Sequence, residues 1–151
     1  MNYIPVNMVL DPSESINNMG TLRVDVLDAK HLPSADHNGY SNPLCKFYLD
    51  GKTIFKTGLR KKTLDPAWNE VFECKILSRT AARLVCDVHN WKSAFDSDSL
   101  GAATVNLETI EPFKPQEYQL ALDRESGTVR LRLLFKPEYV TRKAVRGYSR
   151  P

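Results

Sequence analysis

Apolar and polar residues alternate with a period of two along most of this chain, and the alternation stops at clusters of Gly, Pro, Asn and Asp. From Thr21 onward, Leu22, Val24 and Val26 alternate with Arg23 and Asp25, the pattern of a strand with one face buried. Similar runs at Leu44–Leu49, Thr53–Thr57, Trp68–Ile76, Arg83–His89, Ala102–Leu107, Glu117–Leu122 and Thr128–Phe135 bring the predicted strands to eight. Turn residues separate them: Asp50-Gly51, Leu64-Asp65-Pro66, Asp98 to Gly101, and Ser126-Gly127. Helical periodicity is nearly absent, and only Glu108 to Phe113 is left as a short helical turn. The pattern predicts an all-β fold, an eight-stranded antiparallel Greek-key sandwich with short loop helices at most.

Three segments follow from the same pattern. Residues 1–19 mix Pro, Asn and Ser and read as an extended lead-in that clips onto the sheet through Ile4, Val6 and Val9. Residues 20–135 hold the sandwich. Residues 136–151 form a basic tail, with Lys136, Arg142, Lys143, Arg146 and Arg150 against Glu138, and with Tyr139 and Val140 as the residues able to dock.

A length of 151 residues suits one domain with a substantial core. The formal net charge of +3 is mildly basic and permits an anionic partner without demanding one. No run approaches the roughly 18 apolar residues of a membrane span, and the N-terminal stretch lacks the layout of a signal peptide, so the fragment is expected to be soluble. Cys45, Cys74 and Cys86 each fall in a predicted strand, with no C-x-x-C pair, and are expected as reduced, buried small hydrophobes in a cytosolic compartment.

Chemistry concentrates in three loops. Leu32 to Lys46 reads LPSADHNGYSNPLCK, an Asp/Asn/Gly/Ser turn ending in Asn-Pro. Leu59 to Lys75 reads LRKKTLDPAWNEVFECK, and Leu84 to Gly101 reads LVCDVHNWKSAFDSDSLG. In that order the three resemble the C2 domain, a calcium- and lipid-binding β-sandwich, over roughly Gly20 to Phe135. The flanks YIPVNMVLDPSES and FKPEYVTRKAVRGYS resemble the tricalbins and extended synaptotagmins, the fungal tricalbins above all. The resemblance implies a non-catalytic module of a membrane-tethering protein. Such a parent is anchored in the endoplasmic reticulum, carries a lipid-transfer module, and reaches the plasma membrane at the cell cortex with C2 domains on the cytosolic face.

Calcium takes six to eight oxygen ligands, and Asp-rich loops supply both oxygens and compensating charge. By the resemblance, the five positions that usually carry Asp are Asp36, Asn42, Asn90, Lys92 and Asp98 here. Their formal charge falls from minus five to minus one. Asn42 and Asn90 still offer a neutral oxygen, but Lys92 brings only donors and a positive charge. An ammonium about 4 Å from the metal repels it by several kcal/mol even at an effective dielectric near 20. No cofactor is therefore expected, with weak metal binding at Asp36 and Asp98 at most. Lys92 reads either as a surface lysine or as a built-in cation pairing with Asp36 and Asp98. Asp96, Asp98 and Gly101 mimic the start of an EF-hand loop, but Leu100 and Leu107 stand where ligands are required.

A second candidate site is basic. Lys46, Lys52, Lys56, Arg60, Lys61 and Lys62 lie on and beside two adjacent strands, where C2 domains often carry a lysine-rich face for phosphoinositides. The bland reading is a charged edge that keeps strands from pairing with other chains. Trp91 and Phe95, near the tip of the third loop, are candidates for contact with a bilayer, although Trp91 also suits a loop anchor. The expected partner is an anionic phospholipid membrane, with other domains of the same parent protein as a further one. The alternative function is a protein-interaction module that ignores lipid. His31, His37 and His89 make no hydrolase or metalloprotease motif, and no nucleic-acid recognition motif accompanies the basic run.

Overall fold

All eight predicted strands form. The computed structural model describes residues 18–124 and 126–138. The strands are β1 (Gly20–Lys30), β2 (Pro43–Leu49), β3 (Lys52–Lys56), β4 (Ala67–Ile76), β5 (Leu84–Ser93), β6 (Asp96–Val105), β7 (Gln116–Ala121) and β8 (Thr128–Pro137). They build two four-stranded sheets, ordered β4-β1-β8-β7 and β3-β2-β5-β6, and every pairing is antiparallel. Glu108 to Phe113 makes turns, and no helix occurs among the described residues.

The alternation in the sequence becomes the two faces of each sheet. Leu22, Val24 and Val26 of β1 and Val129, Leu131, Leu133 and Phe135 of β8 are fully buried against Cys45 and Phe47 of β2 and Leu84, Cys86 and Val88 of β5. Burying each such side chain contributes about 1.5–3 kcal/mol. The rings of Phe47, Phe55 and Phe72 pack together near the β3 edge, with Phe47 and Phe72 centroids 4.9 Å apart. Asp50 and Gly51 both have positive φ and close the tight β2–β3 hairpin, as that dipeptide does in turns whose twist matches the strands. Gly20 opens β1 where a Cβ would overlap the Lys136 carbonyl oxygen.

Two expectations change. Cys45 and Cys86 are buried, with sulfurs 3.1 Å apart, and burial holds the Cys45 thiol well above its ordinary pKa. Cys74 is only partly buried, on β4, an edge strand of its sheet, and burial raises its thiol to about 11. The third loop, expected to run from Asn90 to Gly101, is instead mostly strand: β5 continues to Ser93 and β6 starts at Asp96. The run from Asp96 to Ser99 shows no apolar alternation because this half of the hairpin projects beyond the core and leaves little to bury. The lead-in residues Ile4, Val6 and Val9, and Tyr139, Val140 and the tail arginines, lie outside the described residues. Lys136 and Glu138 are described, and pair with Glu73 and Lys75.

Candidate functional site

The β1–β2, β3–β4 and β5–β6 connections meet at one end of the sandwich. Their junction is Asn42, in the turn leading into β2. Its side-chain Oδ1 accepts from the Lys62 backbone N–H at 2.9 Å, and its Nδ2 donates to Asp36 Oδ2 at 3.1 Å. Its own N–H donates to Asn90 Oδ1 at 2.8 Å, while its carbonyl accepts from the Trp91 N–H at 2.9 Å. One residue thus joins the first loop, the β3–β4 connection and the end of β5. Ser41, fully buried beside it, donates to the Pro33 carbonyl and accepts from the Ala35 N–H, which closes the first loop on itself.

Lys92 stands further out on the β5–β6 hairpin. Its ammonium lies 3.2 Å from Asp98 and 3.6 Å from Asp96, and its pKa is raised by the hydrogen bond to Asp98 and by the charge of both carboxylates. The expected bridge from Lys92 to both Asp36 and Asp98 is therefore made at Asp98 alone. Asp36 takes its donor from Asn42 instead. Phe95 occupies the two-residue turn at the hairpin tip and is fully exposed, whereas Trp91, pairing with Ser97 across the hairpin, is 37% exposed.

The outer face of the β3-β2-β5-β6 sheet carries Lys46 and Lys56. Lys46 lies directly opposite Lys56 on one side and Asp87 on the other. A bulge between Phe47 and Tyr48 sets Thr53 opposite Tyr48 and Lys52 opposite Leu49, so Lys52 faces away from the Lys46–Lys56 row. Arg60 is occupied: it donates to the carbonyls of Leu59, Ala67 and Trp68 and pairs with Glu70. Lys61 and Lys62 are exposed on the strip that runs beside Ser41–Cys45, held by Thr57 N–H to Cys45 O, Arg60 N–H to Pro43 O and Thr63 N–H to Ser41 O.

Sequence reasoning missed a polar network on this face. His89 bonds Asp87 Oδ2 at 3.0 Å through Nε2 and Ser97 Oγ at 2.8 Å through Nδ1, and Ser99 Oγ donates to Asp87 Oδ1 at 2.7 Å. Lys46 Nζ reaches Ser97 Oγ at 3.4 Å. Partial burial alone would raise the Asp87 pKa, but hydrogen bonds from His89 and Ser99 and the charges of His89 and Lys46 outweigh it and bring it below its ordinary value. Alternation with buried Cys86, Val88 and Asn90 sets Asp87 and His89 on the outer face. Ser97 and Ser99 reach them only because the ladder shifts register between Val88 and His89, where Gly101 has φ of 137°. The order Ser97–His89–Asp87 is that of a nucleophile, base and orienting carboxylate, carried part-buried on the outer side of the β5–β6 ladder.

A family model described as C2 domain matches residues 20–122, most of the chain. The chain belongs to the C2 domain family. It is 37% identical over 138 residues to Tricalbin-3 of Saccharomyces cerevisiae, covering 91% of this chain and 9% of that protein. It is 32% identical over 149 residues to Tricalbin-2 of the same yeast, covering 93% and 13%. Among solved structures it is similar to a C2 domain of plant Extended Synaptotagmin 1, with a TM-score of 0.73 and 26% identity over 82% of this chain and 98% of that one. The chain thus spans only about a tenth of the tricalbins it matches.

The calcium-loop positions expected from the resemblance are Asp36, Asn42, Asn90, Lys92 and Asp98. Of these five, Asp36 and Asp98 carry carboxylates, and each faces a donor, from Asn42 and Lys92 respectively. The side-chain amide oxygens of Asn42 and Asn90 accept from the backbone N–H groups of Lys62 and Asn42. No group of three or more His, Cys, Asp and Glu side chains suited to a metal occurs among the described residues.

Proposed function

We propose that this C2 domain is a non-catalytic module that binds anionic phospholipid membranes without calcium. Its parent is a tethering protein between the endoplasmic reticulum and the plasma membrane, which places the domain on the cytosolic face. The observation that carries the reading is the pairing of Lys46 directly against Lys56, with Lys61 and Lys62 exposed on the adjoining strip. Like charges placed opposite one another in a sheet cost stability, and an anionic surface recovers it at about 1 kcal/mol per well-placed basic residue. Phe95 and Trp91 at the hairpin tip add an apolar contact that suits the bilayer interface. Similarity to tricalbins and to an extended synaptotagmin supports the tethering context.

Co-sedimentation tests it. The domain should pellet with phosphatidylserine-containing vesicles and not with phosphatidylcholine alone, should release in high salt, and should behave alike in calcium and in chelator. Indifference to every vesicle would overturn the reading in favour of a protein-interaction module, whose partners are other domains of the parent protein.

A further inference from the structure

We infer that Asn42 is a positioning residue that performs, with its own amide group, the bridging task a cation performs between acidic loops. The loop end and the Lys61–Lys62 strip are thereby held in one arrangement whatever the metal concentration. Four hydrogen bonds of 2.8–3.1 Å join Asn42 to Asp36, Lys62, Asn90 and Trp91. The side chain must be an amide to make its two: Asp36 needs a donor, and the Lys62 N–H needs an acceptor. An aspartate at 42 would keep the acceptor but set a second carboxylate against Asp36. An alanine would supply neither.

A second observation points the same way. Lys62 has φ of 53°, a left-handed conformation unfavourable for a long side chain that persists only where surrounding contacts fix it. The contacts that fix it come from the segment containing Asn42. Arg60 N–H and Thr63 N–H bond the carbonyls of Pro43 and Ser41, and between them the Lys62 N–H bonds Asn42 Oδ1. The chain wraps the Asn42 side chain and turns left-handed to do so. Lys92 pairs with Asp96 and Asp98 at the outer hairpin, and Asp36 takes its donor from the Asn42 amide.

The inference rests on the proposed membrane reading only for what the strip contacts, and its test is independent of lipid. Residue-resolved amide exchange on the whole chain compares the unmodified domain with Asn42→Ala and Asn42→Asp. In Asn42→Ala the Lys62 amide should exchange about fivefold faster or more, the loss of one hydrogen bond. The Trp91 amide, bonded to the main-chain carbonyl of residue 42, should keep its protection. In Asn42→Asp the Lys62 amide should stay protected, while the Asp36 and Gly39 amides of the first loop exchange faster. Millimolar calcium should change none of these amides in the unmodified domain. An unchanged Lys62 amide in Asn42→Ala, a uniform acceleration in both variants, or calcium-induced protection of Lys62 would each overturn the inference. Should Asn42→Ala fail to fold, the Asn42→Asp pattern and the calcium arm still decide it. A domain that ignores vesicles would sink the membrane reading and leave these exchange outcomes standing.

Discussion

Replacing Lys56 by Gln should weaken membrane binding and strengthen the fold at the same time. Lys56 is exposed and faces Lys46 across the β2–β3 ladder, and the ion pairs among the described residues do not include it. Directly opposed like charges cost roughly 0.2–1 kcal/mol, so Lys56→Gln should raise the melting temperature by roughly 1–4 °C in a domain of this size. Lys46→Gln should not, because Lys46 also faces Asp87 and contributes to its lowered pKa. On vesicles, removing one charge at about 1 kcal/mol lowers affinity by roughly fivefold, and removing three multiplies the effect. Lys56→Gln, Lys61→Gln and Lys62→Gln together should therefore lower binding by about tenfold or more after salt screening. Vesicle titration at low and high salt, beside thermal unfolding monitored by circular dichroism, reads both quantities. A fall of several degrees in Lys56→Gln, or vesicle binding unchanged in the triple variant, would refute the reasoning.

Trp91 fluorescence should shift to the blue on phosphatidylserine vesicles against a constant background from buried Trp68, and Phe95→Ser should reduce both the shift and the binding; no shift would confine the contact to the lysine strip. Asp87 has a folded-state pKa below its ordinary value of about 3.9. The stability it contributes is in full above that value and disappears as pH falls through the lower, folded-state pKa. Urea unfolding across the acid range should show a shallower loss in Asp87→Asn than in the unmodified domain. Asn42→Asp, Asn90→Asp and Lys92→Asp combined should lower stability without metal, since bridging donors become like charges, and should restore it with calcium, since five carboxylates then face one another. A folded triple variant whose melting temperature ignores calcium would show that these positions do not converge on one ion.

The strands were legible because each buries one face. Alternation of Leu22, Val24 and Val26, or of Val129, Leu131 and Leu133, follows from the two-residue repeat of a pleated strand against a core, and Asp50-Gly51 declares its turn by tolerating positive φ. Where that driving force stops, so did the reading. The outer half of the β5–β6 hairpin buries almost nothing, so Asp96 to Ser99 looked like loop although backbone pairing makes it strand.

The sequence by itself determined the sandwich, its family and the formal charge carried by Asn42, Asn90 and Lys92, because composition and short-range order set burial and formal charge. Only the tertiary structure decided which charges act. It assigned Lys92 to Asp96 and Asp98, withdrew Arg60 onto carbonyls and Glu70, and turned Lys52 off the Lys46–Lys56 row. It also set Asp87 opposite Lys46 and made Asn42 the junction of the first loop, the β3–β4 connection and β5. The bonds from Asn42 to Lys62 and Asn90 join residues 20 and 48 positions apart, and hydrogen bonds of that range are fixed by sheet register and loop convergence, which no local pattern encodes.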